Sequence, residues 1–344
     1  MIDLRSDTVT LPSEAMKKFM LSAPLGDDVF GEDPSINALE DKACSIFGKE
    51  SALFVPSGTM ANLISVLSHC NRGDEMLVGN QSHIFKYEAG GSSIFGGIHS
   101  HQLPNNDDGT INIEHINEGI HKSEDLHYAQ TRLLCLENTH NVCYGSPIKP
   151  EYFSKVKQTI SPFNIKLHID GARIFNASVK LKMTVKKLTA KSDSVSFCLS
   201  KGLSCPSGSL IIGKNNFIHK ARRLRKALGG GMRQAGILAA AGIYALDNMV
   251  ERLAEDHLNA QTLGSELKTI NEIKIDLNKI YTNLIFFHLE NTNLSDENFI
   301  NQLLHEKIKI DYKGNHKFRI ATHFGFTNND IEKVIKTIKL ILSK

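Results

Sequence analysis

Val195-Ser-Phe-Cys-Leu199, followed at once by Ser200-Lys201-Gly202-Leu203, sets an apolar run of strand length against a lysine at its end. A short apolar run bounded by small residues and turn formers reads as a buried strand. A strongly hydrated ammonium gains nothing there unless it is used, and one use is a Schiff base with a carbonyl. Upstream, His168-Ile169-Asp170-Gly171-Ala172-Arg173 places an acid at the end of a second apolar run. An acid and a lysine so placed are what pyridoxal phosphate requires: Asp170 for the pyridinium nitrogen, Lys201 for the aldehyde.

Working outward, Ala52–Pro56, Met76–Gly79, Leu133–Glu137 and Ser209–Gly213 are further strand-like runs, most of them separated by helical or loop segments. This alternation predicts an α/β fold, a mostly parallel central sheet flanked by helices. Asp33-Pro34 opens a helix with an N-cap acid and a proline in the first turn, and Gly48 stops it. Ser57-Gly58-Thr59 leads into helical periodicity from Met60 to His69, and another periodic stretch runs from Gln234 to about Leu267. The tail from Lys274 to Lys344 reads strand, helix, strand, helix, a smaller C-terminal α+β lobe. The expected partition is an N-terminal arm over 1–25, a large cofactor-binding domain over 26–250 and a small domain over 251–344.

Composition excludes several classes. A net charge of +3, from 40 basic and 37 acidic side chains, gives no footprint for nucleic acid. No apolar run approaches the ~20 residues of a membrane span, and Met1-Ile-Asp-Leu-Arg5, with no basic start and no long apolar stretch after it, is not expected to be a secretory signal. The six cysteines form no Cys-x-x-Cys pair, so reduced thiols in a cytoplasmic protein are expected. No metal is expected at the site.

Gly58 and Thr59 stand where a helix N-terminus would offer backbone N–H groups to a phosphate. There is neither a Gly-x-Gly-x-x-Gly nor a Gly-x-x-x-x-Gly-Lys, which argues against dinucleotides and nucleoside triphosphates. His83, just past a strand, could stack on a pyridine face and reach a substrate hydroxyl. His127, before the run Leu133–Glu137, and His140, after it, are the other candidate histidines. Arg173 and Arg319 could grip an amino-acid carboxylate. Gly229-Gly-Gly231, between Lys226 and Arg233, suggests a backbone passing close to a phosphate or a neighbouring subunit.

Six stretches in this order carry a resemblance over nearly the whole chain, weakest after about residue 270. They are Asp3-Leu-Arg-Ser-Asp-Thr-Val-Thr10, Gly26-Asp-Asp-Val-Phe-Gly-Glu-Asp-Pro34, Pro56-Ser-Gly-Thr-Met60, Asp170-Gly-Ala-Arg-Ile-Phe-Asn176, Leu199-Ser-Lys-Gly-Leu203 and Gly229-Gly-Gly-Met-Arg-Gln-Ala-Gly236. Together they resemble the low-specificity L-threonine aldolases, pyridoxal 5'-phosphate enzymes of fold type I. The resemblance implies cleavage of threonine or allo-threonine to glycine and acetaldehyde, by a homo-oligomer (a dimer of dimers) with sites shared between subunits. Lys201 would carry the cofactor, Asp170 its ring nitrogen, and Gly58, Thr59, Lys226 and Arg233 its phosphate. His83 would stack on the ring. Ser6, Arg173 and Arg319 would hold the substrate carboxylate, and His83 or His127 would serve the substrate hydroxyl. Asn141-Val-Cys-Tyr-Gly145 and Ser204-Cys205-Pro206-Ser207 depart from the usual pattern and are expected to alter only the rim of the pocket. The nearest alternative is another pyridoxal-dependent lyase or aminotransferase acting on a small amino acid.

Overall fold

In the computed structural model, which describes residues 1–121 and 124–343, the apolar runs become a seven-stranded sheet. Its strands are β1 (Ser51–Val55), β2 (Glu75–Gly79), β3 (His99–Leu103), β4 (Thr131–Glu137), β5 (Lys166–Asp170), β6 (Ser194–Cys198) and β7 (Ser209–Gly213). They lie side by side in the order β1-β7-β6-β5-β4-β2-β3. From β6 through β5, β4 and β2 to β3 the pairs are parallel; only β7 runs antiparallel to its neighbours β6 and β1. Strands β2, β6 and β7 are buried along their whole length, as helices on both faces demand of a parallel sheet.

The helix Pro34–Phe47 forms where its caps predict. Asp33 Oδ1 accepts from the N–H groups of Ser35 (3.0 Å) and Ile36 (3.1 Å), and Gly48 ends the helix in the left-handed region at φ +62°. At its far end Phe47 stacks on Phe197 of β6 at 5.2 Å between ring centroids and meets Phe175 edge-on at 5.9 Å. These rings join the helical layer to the sheet.

The periodic stretch from Gln234 to Leu267 is two helices, Gly236–Asn248 and Leu253–Leu267. Met249 and Leu253 are both buried and four residues apart, so the apolar pattern runs through the break without registering it. Strand β3 escapes the sequence reading because His99-Ser-His-Gln-Leu103 is polar, as an edge strand with a half-open face can be.

A second core gathers around Phe287, Phe299 and Phe318, under the helices Leu253–Leu267 and Asn328–Leu342. Its sheet is antiparallel and contains β8 (Leu284–Leu289) and β9 (Lys317–Ala321). The start of the chain is woven into this lobe. Ile2 and Asp3 pair in parallel with Ile308 and Lys309, and Leu4 is fully buried there while its carbonyl accepts from Ala321 N–H. That threading brings residues 5–7 to the larger sheet, where Asp7 meets Arg173.

Candidate active site

Open α/β sheets bind ligands beyond the carboxyl ends of their parallel strands, and the candidate groups collect at that edge. Asp170 is the last residue of β5 and 2 % exposed. Its Oδ1 accepts from Ala172 N–H (3.1 Å) and its Oδ2 from Asn62 Nδ2 (2.9 Å), which fixes the carboxylate. Lys201 follows β6, half-buried, its carbonyl accepting from Ser204 N–H. Its ammonium lies close enough to Asp7 and His83 to act on the proton affinity of both.

His83 opens a single helical turn, His83–Lys86, after β2. Its N–H donates to Glu137 Oε2 (2.8 Å), and its Nδ1 lies 2.9 Å from Glu88 Oε1. Burial works against the imidazolium, but the Glu88 hydrogen bond and the charges of Asp170 and Glu88 outweigh it, so the His83 pKa is raised above 6.5. Burial likewise raises Glu88. The pair therefore holds a proton more tightly than an exposed histidine does.

Behind these groups runs a buried polar network. Asn62 spends both amide hydrogens on Asp170 and Glu88, and its Oδ1 accepts from Ser196 Oγ (2.8 Å). His168 Nε2 is 3.2 Å from the same Oδ1, while His168 Nδ1 and His69 Nε2 share Ser194 Oγ at 2.9 and 2.7 Å. Burial pushes His168 down to about 4 and His69 to about 3, so both are neutral. The bonding pattern then assigns the Nε2–H tautomer to each.

The two arginines converge from different lobes. Arg173 is 6 % exposed and grips Asp7 through Nε and Nη2, both at 2.7 Å. Burial alone would raise the Asp7 pKa; the charge and hydrogen bonds of Arg173 hold it well below the carboxylate range. Arg319, on β9, donates from Nη1 to Asn141 Oδ1 (2.7 Å) and from Nη2 to Arg5 O (2.8 Å), and Asp311 is its ion-pair partner. Asn141 Oδ1 also receives Arg173 Nη1 at 3.4 Å, and Arg319 Nε is buried without a partner. Burial, with Arg173 alongside, lowers Arg319. Two crowded guanidiniums, one with an unused buried N–H, are suited to an incoming carboxylate. Ser6 is half-buried next to them, its Oγ accepting from Thr8 N–H.

Asn141 belongs to one of the departing stretches expected to touch only the rim. It lies inside the site instead, its N–H held by Glu137 Oε1 at 2.8 Å. Glu137 therefore positions both His83 and Asn141. Asn62, Glu88, Glu137 and Asp7 were not singled out from sequence. Asn62 had a signal, a polar residue inside the apolar helix Gly58–His69, one turn after Gly58.

At the start of that helix, Ser57 Oγ accepts from Met60 N–H and Ser57 O from Ala61 N–H. The N–H groups of Gly58 and Thr59 have no acceptor among the described residues, as the first turn of a helix leaves them. An added Cβ at Gly58 would lie 2.7 Å from Cys198 Sγ. A free helix N-terminus, a lysine and a fixed acid on neighbouring strands fit pyridoxal phosphate.

His127 is not brought to this edge within the chain, and among the described residues Lys226 and Arg233 make no hydrogen bond or ion pair to the groups above. His127 sits in an exposed turn before β4, its N–H on Asp125 Oδ1. The seven residues of β4, about 20 Å of strand at ~3.3 Å each, separate that end from the site. Lys226 is exposed, and Arg233 is exposed and paired with Asp27 at 2.9 Å. Arg225 takes the buried place instead, on Asp28 and Phe54 O. The glycine loop does make its close approach: a side chain at Gly230 would collide with Met60 in the first turn of the Gly58–His69 helix. His140 is fully buried, packed against Gly109, its Nδ1 accepting from Cys143 N–H.

Comparison with known proteins agrees in family and fold. Residues 3–292 match the Beta-eliminating lyase family. A low-specificity L-threonine aldolase of Escherichia coli K12 is 48 % identical over 85 % of this chain and 86 % of its own. A probable low-specificity L-threonine aldolase of Arabidopsis thaliana is 44 % identical over 99 % and 97 %. The solved threonine aldolase of Leishmania major superposes with a TM-score of 0.84 at 18 % identity, covering 99 % of this chain and 100 % of that one. The protein thus belongs to the Beta-eliminating lyase family, among the low-specificity L-threonine aldolases.

Proposed function

We propose that this protein cleaves L-threonine and L-allo-threonine to glycine and acetaldehyde with pyridoxal phosphate held at Lys201. The observation that carries the proposal is the meeting of Arg173 and Arg319 at Asn141 on the strand edge that bears Lys201 and Asp170. Pyridoxal phosphate, when bound, withdraws electrons from whichever substrate bond at the α-carbon stands perpendicular to its ring. The residues decide which bond that is. Arg173, Arg319 and Ser6 hold the substrate carboxylate, and so set the rotation about the α-carbon that turns the Cα–Cβ bond out of plane. Asp170, anchored by Asn62 and Ala172, would be the residue that holds the ring nitrogen. The Gly58 and Thr59 N–H groups would hold the phosphate. His83, with Glu88 behind it, would remove the β-hydroxyl proton directly or through water, and the Lys201 amine would return a proton at Cα.

His127, Lys226 and Arg233 are proposed to act across a subunit boundary, completing a neighbouring site in a cytoplasmic homo-oligomer. Exposed Phe30 (74 %), beside Arg233, and exposed Ile94 and Phe95 support such contacts. No helix among the described residues is long and apolar enough to cross a membrane.

The test records the visible spectrum of the purified protein and assays acetaldehyde and glycine from L-threonine. Yellow protein, both products, and loss of both in Lys201→Ala is the expected result. Formation of a keto acid in place of acetaldehyde moves the chemistry to another pyridoxal lyase or transferase.

A further inference from the structure

The opposite end of the large sheet carries a second polar cluster that the aldolase chemistry does not use. Glu75 opens β2 with only 1 % exposure, and no lysine or arginine among the described residues contacts its carboxylate. Three imidazoles surround it instead. His101 Nδ1 lies 3.5 Å from Oε2, His121 Nδ1 3.1 Å from Oε1, and His99 Nε2 3.7 Å from Oε2.

The fold explains the convergence. His99 and His101 alternate on edge strand β3, so both leave the same face, and the register sets Glu75 opposite His99. His121, ten residues earlier in the chain, lies against the start of β4, where its N–H donates to Thr131 Oγ1 (2.9 Å) and Thr131 Oγ1 donates to Glu75 Oε1 (2.7 Å). The rings of His101 and His121 are nearly parallel at 5.3 Å, and Tyr128 stacks on the outer face of His121 at 4.3 Å. His101 Nδ1 is buried without a hydrogen-bond partner.

We propose that Glu75, His101 and His121, with His99 at the rim, bind a divalent transition cation of the zinc type. One carboxylate oxygen and two or three imidazole nitrogens are the donor set such ions take. Calcium and magnesium prefer oxygen ligands throughout and are not expected here. Bonds of ~2.0–2.1 Å in a tetrahedron put ligand atoms ~3.3 Å apart, and the imidazole contacts to the single oxygen Glu75 Oε2, 3.2 Å from His121, 3.5 Å from His101 and 3.7 Å from His99, bracket that spacing. A cation also supplies the counter-charge that a buried carboxylate requires. Thr131 acts as the outer hydrogen-bond partner that orients the carboxylate. The site opens to solvent through His99, whose side chain is 64 % exposed. Occupied, it clamps β3 to β2 and to the start of β4.

The test uses tag-free holoenzyme stripped of metal and titrated calorimetrically with Zn²⁺. One ion per chain and a rise in thermal midpoint that a chelator reverses are expected, with no response to Mg²⁺ or Ca²⁺. His101→Asn and His121→Asn should each weaken binding at least tenfold, while His83→Asn, at the catalytic edge, leaves it intact. A readout needing no variant is Co²⁺, which should give the difference spectrum of a four-coordinate nitrogen–oxygen site that Zn²⁺ abolishes. Absence of Zn²⁺ binding overturns the proposal, as does binding that His83→Asn destroys or that survives both cluster variants. A midpoint that depends on pH but not on Zn²⁺ assigns the cluster to protons and overturns it equally.

Discussion

At the residue scale the site separates groups that do chemistry from groups that hold them. Lys201→Ala should abolish both the visible band and acetaldehyde release. His83→Asn should keep the band and lose about 10²–10⁴-fold in kcat, the usual range for a general base. Equal, total loss in both variants would remove His83 from the proton step. The pH profile tests the pairing with Glu88. A base works when neutral, so activity rises with pH through the His83 pKa, which the carboxylates raise above 6.5. Glu88→Gln removes the hydrogen-bonded charge and should move that acid limb to lower pH; a limb that stays put detaches Glu88 from the base. Arg319→Lys should act on binding. A charge-assisted hydrogen bond contributes about 1.5–3 kcal/mol, so KM should rise roughly 10- to 100-fold with kcat changed less.

At the element scale, legibility followed burial. Strands with both faces covered are continuous apolar runs, and β5 and β6 were readable to within a residue or two, as was the capped helix Pro34–Phe47. Strand β3 was not, because an edge strand carrying His99 and His101 has no apolar signature. Residues that end a strand, such as Asp170 and Glu137, were visible as polar interruptions, yet only Asp170 had a role readable from its neighbours. Glu88 acts from the bend after the turn His83–Lys86 and Asn62 from the helix Gly58–His69, and no one-dimensional pattern shows that they share a hydrogen-bond network. Asp33 goes beyond the N-cap that the sequence predicts. Its Oδ2 accepts from Gly236 N–H (2.8 Å), tying the Pro34–Phe47 helix to the start of the next core helix, where an added Cβ would lie 2.5 Å from Oδ1. Asp33→Ala removes a cap costing about 0.5–2 kcal/mol and strands a buried N–H costing about 1–3 more. A loss of roughly 2–4 kcal/mol in urea denaturation is expected. A change within 0.5 kcal/mol, the usual span of an unremarkable surface substitution, would show that the tie carries no energy.

At the scale of the whole molecule, the chain hides histidines whose neutrality folding enforces, and this makes stability depend on pH. Burial pushes His69 to about 3, and His168 and His257 to about 4, against 6.5 in the unfolded chain. For His257 the charges of Lys180 and Arg252 add to burial, and its Nε2 is 3.2 Å from Asn176 Nδ2, which donates to it. Between pH 6.5 and about 4 the unfolded state binds protons that the folded state refuses, so stability rises with pH across that window and falls on acidification. The His83–Glu88 pair works the other way. Its raised affinity for a proton adds stability that is present at low pH and lost as pH rises through the His83 pKa, but it is one group against three. Each buried histidine should cost on the order of 1–2 kcal/mol on going from pH 7 to pH 5. The urea midpoint of the holoenzyme should therefore drop over that range. His257→Gln, which keeps an acceptor for Asn176 but cannot take a proton, should shrink the drop by about one histidine's share, ~1–2 kcal/mol. An identical pH slope in the variant would mean that His257 takes up its proton as readily in the folded protein as in the unfolded chain.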